Sequence, residues 1–372
     1  MSDTETQILA ERGTRAATAH AGDQRSAEAR RLRAVLVTGA GGEMGHGLLE
    51  ALFRRREAGG PAVIALDRNE LAPEQRDRCE AAIRGDVRDA AALAPIAERF
   101  DVESVFHLAA ILSSGGERDP ELAHEVNVQG THALLGFAAA EGRRRGGRTR
   151  FLYPSTIAVY GLPDLATKQQ APPVKEEQFL WPITMYGCNK LYGEHLGRYH
   201  ARHYRMLGPE GPAPAIDFRC IRFPGIISAE TLPTGGTSDF APEMLHAAAQ
   251  GTPARCFVRP ASRIPFMTMP EAIEALLALE AAPAEALRGL VYNVASFAPS
   301  AGEFAEAIRR RFPGAAIEFA PHPQRQAIVD SWPARVDDSA ARRDFGWQPR
   351  YDLDRALDEY LVPAVRARYG AD

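Results

Sequence analysis

Three features of the chain predict an α/β fold built on a doubly wound parallel sheet. Short apolar runs recur at RAVLVT (33–38), PAVIAL (61–66), SVFHLAA (104–110) and TRFLYPS (149–155), separated by Ala- and Leu-rich stretches with helical spacing. That alternation marks strands joined by crossover helices. The first run turns on glycines, VTGAGGEMG (37–45), directly before a helical stretch. The second run ends in a carboxylate, Asp67, 22 residues beyond Gly45. Strand, glycine turn, helix and a second strand closing on an acid form the entrance to a Rossmann-type dinucleotide-binding unit.

Residues 1–32 show no apolar period and are expected to form a flexible extension. Asp3, Glu5, Glu11, Asp23 and Glu28 argue against an acid-poor transit peptide, and no apolar segment marks a secretory signal. In the glycine turn, Gly39 allows the tight bend, Gly42 lets the backbone approach a pyrophosphate and Gly45 lets the helix pack on its strand. The phosphates then meet the positive end of that helix. Taken alone, the pattern also fits a plain structural turn in a chain with 32 glycines. Asp67 is placed to accept both hydroxyls of an adenosine ribose and to repel a 2′-phosphate, which favours NAD, although Arg68 keeps an NADP reading open. In RGDVRD (84–89), Asp86 fits either an adenine contact or a turn.

The run AIDFRCIRF (215–223) adds another strand, and the order then becomes mixed, with helices expected near 239–250, 270–280, 301–311 and 352–368. Residues 33–222 are thus expected to be mainly a NAD-binding domain and 223–372 mainly a smaller mixed α/β substrate-binding region, with late segments returning to the first domain. LPDLATKQQAPP (162–173) and GPEGPAPA (208–215) read as surface loops.

Composition narrows the function. The 372 residues are 45% apolar and 25% charged, with a formal charge of −4, which argues against a nucleic-acid binder. The basic cluster at 143–148 reads as a solvated helix end. No apolar stretch is long enough for a membrane span. Cys79, Cys188, Cys220 and Cys256 lie far apart and fit reduced thiols in a cytoplasmic protein. His195, His200 and His203 lack a metal-site spacing and read as a solvated helix face, so no metal is expected. No G-x-S-x-G elbow is present, which argues against a covalent hydrolase.

The chemistry is carried by YGCNK (186–190), preceded by PSTIAVYG (154–161). Tyr186 and Lys190 share a helix face. The ammonium favours the phenolate and is expected to lower the Tyr186 pKa, as a general base requires. Ser155 or Thr156, at a strand end, completes the site by binding the reacting oxygen.

Together the glycine fingerprint, the strand-end Asp and the Tyr-x-x-x-Lys pair resemble the extended short-chain dehydrogenases/reductases from about residue 33 to the C-terminus. HLAAILSS (107–114) and NVQGT (127–131) are similar to that family's cofactor-lining strand and following helix. The resemblance implies NAD contacts from Gly39, Gly42, Glu43, Met44, Gly45, Asp67, Asp86, Val87, Leu108, Ala109, Ala110, Asn127, Tyr186, Lys190 and Pro224. It assigns catalysis to Thr156, Tyr186 and Lys190. It also implies a homodimer formed through helices near 119–140 and 184–206.

RFPGIIS (222–228), LPTGGTSDFAPEML (232–245), RIPFMTMPEAI (263–273), RQAIVDSWP (325–333) and DDSAARRDFGW (337–347) resemble the short-chain-type L-threonine 3-dehydrogenases. That likeness implies oxidation of the β-hydroxyl of L-threonine, or a close β-hydroxy-α-amino acid, to 2-amino-3-oxobutanoate, with hydride passing to NAD. Substrate contacts are then expected from Ser113, Ser155, Thr156, Tyr186, Thr237 and Trp332. Plain packing also accounts for Trp332, and loop capping for Ser113 and Thr237. Arg263 resembles the family's substrate-anion Arg, and a structural ion pair fits it equally. The chain departs from the pattern at Asn189, where the family has Ser, and at Trp181-Pro182, where Arg-Pro is common. A sugar-nucleotide epimerase or dehydratase is the alternative enzyme. A non-catalytic dinucleotide sensor is the other class, but such proteins tend to lose the Tyr or the Lys, and this chain keeps both.

Overall fold

The computed structural model describes residues 31–209, 213–233 and 235–370. The extension read over 1–32 lies outside the described residues except for its last two, as does the middle of the 208–215 loop.

The chain opens with β1 (Leu32–Thr38), β2 (Ala62–Asp67), β3 (Ala81–Arg84), β4 (Phe100–His107), β5 (Thr149–Thr156) and β6 (Ile216–Phe223). After β7 (Gly225–Ile227), β8 (Ala254–Cys256) and β9 (Phe266–Thr268), β10 (Val291–Asn293) returns to the main sheet beside β6. The result is a seven-stranded sheet in the order β10-β6-β5-β4-β1-β2-β3, parallel throughout. The winding reverses between β1 and β4, the point where an open α/β sheet leaves a crevice at its carboxyl edge. Two small parallel pairs, β7 with β9 and β8 with β11 (Ile317–Phe319), lie outside this sheet.

The longer helices are α1 (Glu43–Glu57), α2 (Ala90–Arg99), α3 (Thr131–Arg144), α4 (Met185–Arg202), α5 (Phe240–Ala249), α6 (Met269–Ala281), α7 (Ala301–Arg311) and α8 (Pro323–Ser331). Side chains alternate across β1, so Val35 and Val37 join Leu48 and Leu52 of α1 and Leu276 of α6, while Ala34 and Leu36 join Ile96 of α2 and Leu134 of α3. Burial on both faces explains why β1 reads as a continuous apolar run. A third core joins Phe240 and Met244 of α5, Phe304 and Ile308 of α7, Phe266 and Trp332.

Several expectations are corrected. β4 runs from Phe100 to His107 rather than 104–110, so Leu108 to Ala110 leave the sheet as it reaches the crevice. The supposed loop 162–173 contains a helix, Leu165–Gln170, because Asp164 accepts the Thr167 N–H at 2.7 Å and Lys168 is buried with Nζ 2.6 Å from Val329 O. His200 is not solvated: it is 1% exposed, packed among His132, Tyr199 and Tyr204. The short strands β3, β7, β8, β9, β10 and β11 span three or four residues, too few to show a period.

One buried carboxylate ties the C-terminal segments together. Glu271, fully buried in the first turn of α6, closes a capping box with Thr268. Its other oxygen accepts Ser296 Oγ at 2.8 Å and the N–H groups of Arg350 and Tyr351 at 2.9 and 3.1 Å. Glu271→Gln presents an amide to donors, leaving some without an acceptor at about 1–3 kcal/mol each. The expected outcome is a clear drop in the denaturant midpoint with an unchanged m-value.

Candidate active site

A cavity of about 320 Å³ runs along the carboxyl ends of β1, β4, β5 and β6. Its floor at one end is the glycine turn. Gly39 has φ +68°, and a Cβ there would stand 2.5 Å from Ala109 N. A Cβ on Gly45 would stand 2.3 Å from Ala40 O, so the helix rests on its strand only without a side chain. Gly42 is the N-cap of α1 and contributes no side-chain cap, leaving the helix's first N–H groups to an anion. Such a backbone cradle fits a pyrophosphate. Asp67 stands at the end of β2 with its carboxylate accepting Gly41 N–H at 2.9 Å and Asn69 N–H at 2.8 Å, which fixes its aim beside the turn.

Gly39, Gly42, Glu43, Met44, Gly45, Leu108, Ala110 and Pro224 line the cavity, and Ala109 backs Gly39. Asn127 acts one step removed: its amide accepts Ile111 N–H at 2.8 Å and donates to Ile111 O at 2.9 Å, holding the chain that leaves β4. Val87 is buried in the core and does not line the cavity. Asp86 is engaged by Arg88, whose guanidinium at 3.0 and 2.7 Å holds the carboxyl below the usual range, so its observed contacts are those of the turn reading.

At the other end, Thr184 caps α4 by accepting Gly187 N–H at 3.1 Å, which sets Tyr186 in the first turn facing the cavity. Thr156 lines the cavity beside Tyr186, its Oγ1 accepting Ala158 N–H at 3.1 Å, and its hydroxyl favours the phenolate against the effect of burial. Lys190 lies one turn on, buried, with Nζ 2.7 Å from Pro154 O and 5.9 Å from the Tyr186 ring centroid. Burial pushes the lysine down to about 8. It also pushes the Tyr186 phenol well above its ordinary value, against the lowering that the spacing predicts. The reason is distance and solvation: the ammonium is drawn to a carbonyl while the phenol loses water. Ser155 lines the cavity, but its Oγ donates inward to Glu194 at 2.6 Å.

Residues 228–233 and 235–239 border this site. Thr231 hydrogen-bonds Glu43, Thr237 Oγ1 meets Ser113 Oγ at 3.3 Å, and Arg325 donates to Gly236 O at 2.6 Å. Ser113 and Trp332 line the cavity, and Thr237 stands behind Ser113. Arg263 does not line it: it bonds Ala298 O and meets Glu303 at 2.8 Å, as the ion-pair reading has it. Sequence reasoning missed Asp239, which lines the cavity at the N-cap of α5. Its only signal is an acid before an apolar helix, which reads as a cap. Yet its side chain caps none of that helix's N–H groups and accepts Gly236 N–H at 2.6 Å. Among the described residues no cluster of metal-ligating groups is present, and no helix is long and apolar enough to cross a membrane.

A nicotinamide-type cradle beside a Tyr–Lys pair defines a short-chain oxidoreductase, and the chain belongs to the NAD dependent epimerase/dehydratase family, which it matches over residues 35–295. Within that family its relatives carry a more specific name. The mitochondrial L-threonine 3-dehydrogenase of Bos taurus is 34% identical over 334 residues, 88% of this chain and 81% of that protein. The GalE-like L-threonine dehydrogenase of Cupriavidus necator, in its holo form, shares 33% identity with a TM-score of 0.76, covering 89% of this chain and 99% of that one. A monomeric L-threonine 3-dehydrogenase from a metagenome shares 34% identity with a TM-score of 0.76, covering 90% and 99%.

Two outcomes follow from the geometry. If Tyr186 carries the proton, Tyr186→Phe, which keeps the ring and removes the hydroxyl, should lower turnover by about 10²- to 10⁴-fold while calorimetry still shows dinucleotide binding. Asp67→Ala should weaken NAD binding and narrow the preference over NADP; a parent protein faster with NADP at equal concentration would contradict the assignment of Asp67.

Proposed function

We propose that the protein oxidises the β-hydroxyl of L-threonine, or a close β-hydroxy-α-amino acid, to 2-amino-3-oxobutanoate with NAD as acceptor. The observation that carries the substrate is the charge of the cavity wall. Among the described residues lining it, Lys190 is the one Lys or Arg, while Glu43 and Asp239 are acidic and Ser113 and Ser114 neutral. A small zwitterion fits such a wall, with its ammonium toward Asp239 and its carboxylate toward hydroxyls. A sugar nucleotide brings a diphosphate, and Arg263, the family's candidate for an anion, is committed to Glu303. The names of the relatives support the same substrate.

NAD would lie with its pyrophosphate at the N-terminus of α1 and its adenosine ribose at Asp67. When bound, it supplies the hydride acceptor and a positive charge beside the phenol. Tyr186 takes the proton from the substrate hydroxyl, Thr156 holds the reacting oxygen, and Lys190 stabilises the phenolate. Trp332, at the end of α8, and Leu232 and Pro233 exclude water around the small substrate. The wall thus orients the Cβ–H bond, which is the protein's main contribution to rate.

Assembly as a homodimer would cover the exposed Tyr192 and Tyr199 of α4, and a cytoplasmic location fits the unpaired cysteines. Light scattering decides the first point, since one relative is described as monomeric.

A panel of L-threonine, L-allo-threonine, L-serine, 3-hydroxynorvaline and UDP- and GDP-sugars, read by NADH absorbance and product mass, tests the assignment. NADH with L-threonine and a product that decarboxylates to aminoacetone is expected; turnover of a sugar nucleotide and of no amino acid would leave only the family standing. The rate should fall as the pH rises through about 8, where Lys190, which burial lowers, loses the proton that supports the phenolate.

A further inference from the structure

Behind the catalytic helix lies a buried polar network that the reaction as drawn does not use. Glu194 sits one turn beyond Lys190 on α4, 4% exposed, and pairs with Arg222 of β6, 3% exposed. Both carboxylate oxygens are committed. Oε1 accepts Ser155 Oγ at 2.6 Å and Arg222 Nε at 2.9 Å, and Oε2 accepts Arg222 Nη2 at 2.6 Å. Arg222 Nη1 donates to Tyr160 OH at 2.9 Å and to Glu176 O at 2.5 Å, and Tyr160 donates on to Asn293 Oδ1 at 2.7 Å.

A buried ion pair is a poor way to gain stability, because desolvation offsets most of the attraction and an apolar pair would fill the space as well. Its placement is more telling than its energy. Pro154, Ser155 and Thr156 end β5, and α4 grips that end twice: Lys190 donates to Pro154 O and Glu194 accepts from Ser155. The next residue, Thr156, lines the cavity with Tyr186.

The groups around Lys190 are Tyr186 and Glu194 from α4, Tyr153 from β5, Cys220 and Arg222 from β6, and His107 from β4. Burial keeps His107 unprotonated, at about 3, and keeps the Tyr153 phenol and the Cys220 thiol protonated. Glu194 is therefore the anion of this set, and without it two cations, Lys190 and Arg222, would share one dry pocket. We propose that Glu194 is a positioning residue for the reaction: through Ser155 it fixes the strand end that presents Thr156 to Tyr186, and its charge holds Lys190 as an ammonium.

This rests on the dehydrogenase reading of the site, so the test has one arm that needs no substrate. In ¹³C-lysine-labelled protein, the resonance lost in Lys190→Met is titrated in the parent, Glu194→Gln and Ser155→Ala. The titration should move down by about one pH unit in Glu194→Gln and stay in place in Ser155→Ala. In turnover with NAD and L-threonine, both variants should lose kcat by about tenfold or more with KM little changed. The double variant should be no worse than Glu194→Gln, because both act through one contact.

If Glu194→Gln does not fold, Glu194→Gln/Arg222→Gln leaves no lone buried charge and is compared with Arg222→Gln, below which its titration should lie. An unmoved Lys190 titration, or a Ser155→Ala variant with raised KM and full kcat, would overturn the proposal. A parent that ignores every amino acid while its lysine titration still responds to Glu194 sinks the substrate reading and leaves the charge role standing.

Discussion

The pairing of β1 with β4 is the constraint on which the rest of the site depends. These strands lie in parallel register from Leu32 with Phe100 to Thr38 with His107, at the point where the sheet reverses its winding. Crossovers on either side leave in opposite directions, so no helix covers the carboxyl edge there. The chain leaves β1 through Gly39, whose N–H goes to Leu66 O at 2.9 Å, and leaves β4 through Leu108, whose N–H goes to Thr38 O at 3.0 Å. The two exits pass so closely that a side chain on Gly39 would strike Ala109. A dinucleotide cradle, a floor for the substrate and an approach for Tyr186 all open from this one junction.

What surrounds the junction is held by buried polar groups more than by shape. Thr38 and Thr131 clasp the two nitrogens of His107 at 2.8 and 2.9 Å, and Asn127 fixes the Ile111 backbone from a π-turn between helices. Glu271 gathers β9, the Ser296 turn and the 350–351 segment. Each such group would be costly if left unpaired, and satisfied it admits few alternatives. Residues 228–233 and 235–239 border the cleft through Thr231 with Glu43, Thr237 with Ser113 and Gly236 O with Arg325, and Arg368 donates to Glu230 O at 2.7 Å.

Much of this was legible in the chain. The five long apolar runs are the five long central strands, because burial on both faces demands unbroken apolar residues. Gly39, Gly45 and Asp67 were readable because a turn, a close approach and a strand end each demand one residue type. Helical spacing put Tyr186 and Lys190 on one face, and the glycine turn and the Ser155-Thr156 strand end marked that face as the one to watch; both residues line the cavity. The helix at Leu165–Gln170 was hidden among polar and proline residues because its support is tertiary, from Lys168 onto Val329 O. His200 was misread for the same reason: its burial depends on Tyr204 and His132, which the periodicity of α4 does not report.

By itself, the sequence determined the layer architecture, the glycine turn at the end of β1 and the placing of Tyr186 and Lys190 on one helix face, since each follows from local spacing and backbone sterics. Only the tertiary structure decided how the charges are shared. It turned Ser155 toward Glu194, tied Arg263 to Glu303 and Asp86 to Arg88, and set Asp239 in the cleft wall. The physical reason is that a polar side chain's role is set by the partner that folding brings beside it, and for Asp86, Ser155 and Arg263 those partners lie 2, 39 and 40 residues away in the chain.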